Sequence, residues 1–218
     1  MLQTPDRPHL AANHGYREAC LEALLRSPIR WHRARLPLTD LDVVLQVLHC
    51  ASVLEALVVL CSVVRFGQVR VPQVREQLTG RNHTKARQVL ARLDVHSESA
   101  LEVVSRFHLE EASYQVASQV YIPGLGRADQ LVDGVLAIEL MGKAYHLSSE
   151  AFTEDLRRFN QYTVSGIPVL RVGYALVVHH PMEFIALVHR ALQHTRPPGP
   201  ASWAREPGSG GRSRRNAP

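Results

Sequence analysis

A chain of 218 residues with 45% hydrophobic residues is long enough for one ordinary domain or two small ones with a real core. The formal net charge is +5, but residues 195–218 hold five Arg against one Glu, so residues 1–194 are left with only about +1. Net charge therefore marks no nucleic-acid surface on the folded part. The opening MLQTPDRPHLAANHG lacks the apolar run of a signal peptide. The longest apolar run, residues 56–64, is too short to span a bilayer. Cys20, Cys50 and Cys61 form no CxxC pair; two of them sit in apolar helical runs, which predicts buried free thiols and fits a reducing cytoplasm.

Residues 1–15 read as loose and polar, and 16–25 as a short helix. Residues 38–52 predict a helix with Thr39 or Asp40 near its start. Ser52-Val-Leu-Glu55 matches a capping box, opening a second helix that ends before Gly67. Pro72 in a first turn opens a third, closed by Gly80, and 84–93 predict a fourth. Residues 16–94 are thus a small helical domain.

After a connector at 94–97 the pattern changes. A helix over 99–111 is followed by strands over 114–122, 127–132 and 135–141, then a helix over 149–165, a strand over 167–174 and a helix over 181–194. Pro123-Gly124-Leu125-Gly126 reads as a strand connection, and Asp133-Gly134 as a hairpin turn. The tail from Thr195, rich in Pro, Gly, Ser and Arg, predicts disorder. The fold class is α/β, with residues 97–194 forming a helix, three strands, helix, strand, helix unit.

The acids of this unit carry the chemistry. In VLAIELMG, alternation puts Val135, Ala137, Glu139 and Met141 on one strand face. A carboxylate within so apolar a run is costly to bury unless it is paired or holds a metal. Asp129, ten residues earlier, is a partner for Glu139 or a turn-flanking surface acid. Glu102, three residues after Ser99, is a site residue or a capping-box residue. Asp155 with Arg158 reads equally as a helix-surface pair.

The pieces SALE at 99–102, QVYIPGLGRAD at 119–129, IELMG at 138–142, YH at 145–146, FTEDLRR at 152–158 and GIPVLRVGY at 166–174 resemble a restriction-endonuclease-like fold. More closely, they resemble the bacterial domain family related to the very-short-patch mismatch repair endonuclease. The helical stretch from 33 to 93 resembles what precedes that domain in longer members. The resemblance implies a cytoplasmic, metal-dependent endonuclease that hydrolyses DNA phosphodiesters. Asp129 and Glu139 would hold Mg²⁺ or Mn²⁺ with Glu102 in support. Lys143 and His146 would serve the reaction, and Arg127, Arg157 and Arg158 would contact DNA phosphate. One position departs from the pattern. Where the family reads Glu-x-Asp-Gly, this chain reads Glu139-Leu140-Met141-Gly142, and a thioether is a poor ligand for a hard cation. Lys143 is the nearest substitute. Two rivals follow: a descendant that binds DNA or protein with its chemistry impaired, and a helical partner-binding module on an endonuclease-like scaffold.

Overall fold

The computed structural model describes residues 9–12, 30–33, 37–79, 81–142, 156–157 and 160–195. Strands β1 (His9–Ala12) and β2 (Arg30–Arg33) pair in parallel as a two-stranded sheet. This corrects the reading of residues 1–15 as wholly loose; a four-residue HLAA strand is too short to announce itself by alternation. The expected helix over 16–25 and the tail after Thr195 lie outside the described residues.

The four expected helices of the first half are α1 (Asp40–Cys50), α2 (Val53–Arg65), α3 (Val71–Gln77) and α4 (Thr84–Ala91). Thr39 starts α1: its Oγ accepts the Asp42 N–H at 3.2 Å while the Asp42 carboxylate accepts the Thr39 N–H at 2.9 Å. Ser52 and Glu55 repeat the exchange at α2, at 3.2 and 2.9 Å. Each cap contributes about 1 kcal/mol. From α4, the Lys85 ammonium donates to the carbonyls of His49 and Ala51 at the end of α1.

Helix α5 (Ala100–Glu111) follows, started by Ser99. Next come β3 (Val116–Ile122), β4 (Gly126–Val132) and β5 (Leu136–Met141). Residues 156–157 and 160–164 are helical, within the helix expected over 149–165. Then β6 (Val169–Gly173) leads into α6 (Tyr174–His179) and α7 (Pro181–His194). The larger sheet has the order β3-β4-β5-β6; the first two pairs are antiparallel and β5–β6 is parallel. The chain is therefore mixed α/β around a four-stranded mixed sheet. Two hairpin connections are as the sequence has them. At Asp133-Gly134 both residues have positive φ, +50° and +69°, as a two-residue primed turn requires. The strand expected over 167–174 is β6, which ends at Gly173; residues 174–179, to which the sequence pattern assigned no element beyond Tyr174, form α6 and bury Val177.

One face of the sheet carries Val132, Leu136, Ile138 and Val172. They share a continuous buried cluster with Val103, Val104 and Leu109 of α5, Val44 and Leu60 of the first half, and Val177 and Phe184. The core thus runs without a break across the 94–97 connector, where a domain boundary was expected. The other face carries Leu131 and Ala137, packed with Ala128, Ile122, Leu125 and Tyr162. Among the described residues, no helix is long and apolar enough to cross a membrane.

Candidate functional site

The β4–β5 ladder pairs Val132 with Leu136, Leu131 with Ala137 and Gln130 with Ile138. The next positions in register are Asp129 and Glu139, directly opposite one another. The strands part there. The Ala137 N–H turns toward β6, donating to Pro168 O at 3.0 Å, so by alternation the Leu140 N–H turns toward β4. It meets not a strand carbonyl but the Asp129 carboxylate, at 2.8 Å. Asp129 therefore fills the gap where the ladder ends. Glu139 shares the face of Ala137, and its Oε1 accepts the Tyr162 hydroxyl at 2.8 Å. Arg171 of β6 is its register neighbour on the other side.

Glu102 is placed differently. It is 5% exposed at the start of α5, against the opposite sheet face. One oxygen accepts the Ser99 hydroxyl at 2.8 Å; the other accepts the Glu98 N–H at 2.7 Å and the Gln119 carboxamide at 2.8 Å. Its own carbonyl accepts from Gln130, a fully buried amide also bonded by the Ser105 hydroxyl at 2.7 Å. Glu102 is thus a capping residue and a strut between α5 and β3–β4. Gln119 pays for this reach with a left-handed backbone, φ +55°. Neither Gln119 nor Gln130 stood out in the sequence, because an amide in a strand looks like any surface polar residue.

An open groove of about 600 Å³ lies at the β3–β4 hairpin. Gln119, Tyr121, Gly124, Gly126, Arg127 and Arg157 line it, together with Asp129 and Gln161. Tyr121 and Arg127 are cross-strand partners. Arg127 also pairs with Glu98 at 2.9 Å, both half-exposed. The groove therefore joins Arg127 and Arg157, expected at phosphate, to Asp129. Glu102 and Glu139 do not line it.

Mg²⁺ takes oxygen ligands, keeps several waters and is held by one or two carboxylates. Asp129 and Glu139, neighbours in register, suit that description. Glu102 does not join them, since its oxygens are bonded elsewhere. Met141, next on the face of Glu139 and opposite Gly173, offers only sulfur. Among the described residues, no three His, Cys, Asp or Glu converge as a metal set. Lys143, His146, Asp155 and Arg158 lie outside the described residues.

Comparison with protein-family models, curated proteins and solved structures finds no match.

Proposed function

We propose that this chain binds DNA on a restriction-endonuclease-like framework whose hydrolytic centre is reduced to Asp129 and Glu139. The observation that carries the reading is the groove that sets Arg127 and Arg157 beside Asp129 at the parted end of the β4–β5 ladder. The resemblance of residues 97–192 to the mismatch-repair endonuclease family supports it in sequence. In this reading the two guanidinium groups hold backbone phosphate through salt-sensitive contacts. Asp129 and Glu139 would hold a hydrated Mg²⁺, which when bound polarises a phosphodiester. Glu102 keeps α5 and the hairpin in place and touches no phosphate. Met141 can neither take a proton nor orient a water, so that position adds no second acid or base beside Glu139.

A second reading, a working Mg²⁺-dependent endonuclease, is favoured by the register of Asp129 with Glu139, with Lys143 in place of the missing carboxylate. Plasmid nicking in Mg²⁺ or Mn²⁺ separates the two. Wild type should bind plasmid DNA but cleave it slowly or not at all. Met141→Asp should raise cleavage, and Met141→Asp with Glu139→Ala should abolish the gain. Robust wild-type cleavage lost in Glu139→Ala would install the second reading. Absence of DNA binding at low salt by the folded protein would end both.

A further inference from the structure

We infer that the groove at the β3–β4 hairpin takes unpaired nucleotides, with a base stacked on Tyr121 and its phosphates on Arg127 and Arg157. The inference rests on the DNA-binding reading above and names the form of DNA.

Tyr121 is 70% exposed, one residue from the hairpin end of β3, the edge strand of the sheet. It lines the groove together with its cross-strand partner Arg127, whose guanidinium also pairs with Glu98. A flat exposed ring flanked by cations is the combination that holds single strands: the ring stacks on any base, and the cations follow the backbone. Paired bases inside a duplex offer no free face to such a ring, so stacking here requires a base out of its helix. The groove's volume, about 600 Å³, falls in the range of small-molecule sites and suits a nucleotide or two.

The hairpin is built to leave that ring accessible. Gly124 and Gly126 have φ of +81° and +91°, and a Cβ on either would point into open space with nothing within 4 Å. The tip therefore turns without raising a side-chain wall between Tyr121 and Arg127. Gln119 closes the other side. Its amide nitrogen is committed to Glu102, which fixes the side chain and leaves its carbonyl oxygen to accept from a base edge. On β3, Val116 packs with α5 and Ser118 bonds Arg106 of α5, whereas Val120 and Ile122 pack with Leu131, Ala137 and Tyr162. The left-handed Gln119 lies between these two sets.

The test is fluorescence anisotropy of the full chain, without metal, with a labelled 12-nucleotide DNA strand, the same strand as a blunt duplex, and the matching RNA strand. The DNA strand should bind more tightly than the duplex. Tyr121→Ala should weaken strand binding about 10-fold, and Tyr121→Phe should restore it, since the ring and not the hydroxyl stacks. Arg157→Gln should weaken binding and flatten its salt dependence by about one phosphate contact. Stacking and phosphate contacts do not distinguish the two sugars, so RNA should bind within a few-fold of DNA; RNA tighter by more than about 10-fold would overturn the DNA assignment. Duplex binding equal to or tighter than strand binding, or Tyr121→Ala binding like wild type, would overturn this inference and leave the DNA-binding reading standing. No binding of strand or duplex would overturn both.

Discussion

Asp94 is a single residue on which the junction of the molecule depends. It is 9% exposed and accepts from the His96 N–H at 3.0 Å and the Ser97 hydroxyl at 2.9 Å, with the Arg106 guanidinium at 3.0 Å. Burial alone would push its carboxyl up. Hydrogen bonds from Ser118, His96 and Ser97, with the charge of Arg106, outweigh that and hold it below its ordinary value of 3.8. A carboxylate whose folded value is depressed stabilises the fold fully above the unfolded value and loses that contribution as pH falls toward and through the folded one. Wild-type stability should therefore fall as pH drops below about 4, and Asp94→Asn should show a flatter acid limb in urea unfolding followed from pH 6 to pH 2.5. Superimposable limbs would remove Asp94 from the account. Asp94→Ala removes one of two carboxylates on Arg106, Glu110 remaining at 2.7 Å, and strips the His96 N–H and Ser97 hydroxyl of their acceptor; it should cost about 1–3 kcal/mol.

Elements were legible where a local rule fixes them. Thr39, Ser52 and Ser99 each start a helix with a side-chain bond to the residue three ahead, and Asp133-Gly134 turns a hairpin; these are short-range chemistry written in four residues or fewer. What was not legible depends on residues far apart. Glu102 was legible as a cap of its own helix, but it is also a strut because Gln119, seventeen positions later, donates to it. Helix α6 places Val177 in a core built from distant elements, and β1 pairs with β2, about twenty positions later in the chain. The candidate site divides the same way. The pairing of Asp129 with Glu139 follows from the turn between them. The groove with Tyr121 and Arg157 needs a helix that folds back from beyond β5. Another long-range device joins α4 to α1: the Lys85 ammonium meets the His49 and Ala51 carbonyls, at the negative end of the helix dipole. Lys85→Met should lower stability by about 1–2 kcal/mol. It should also raise the titration midpoint of His49, which burial first, then His83 and Lys85, hold below the usual histidine value. An unchanged urea midpoint together with an unchanged His49 NMR titration would refute this role.

Across the whole molecule, helices and sheet share one buried cluster, so the first half and the sheet are parts of one cooperative unit rather than beads. The order of the strands adds a temporal consequence. β3, β4 and β5 are joined by tight turns, whereas β5 ends at Met141 and its parallel partner β6 begins only at Val169. Hairpins form in roughly 1–10 μs, while a non-local parallel pairing must wait for loop closure. Gly134→Ala, which strains a turn at φ +69°, should therefore slow folding, and Val172→Ala on β6 should chiefly speed unfolding. Stopped-flow chevrons in urea would show it; the reverse assignment of the two effects would contradict the sequence of events. During that wait β5, Leu136 through Leu140, is a bare apolar strand edge, and a bare edge will accept a strand from any neighbouring chain. Refolding is then a race between a distant strand of the same molecule and a nearby strand of another, and its yield should fall as the protein concentration rises.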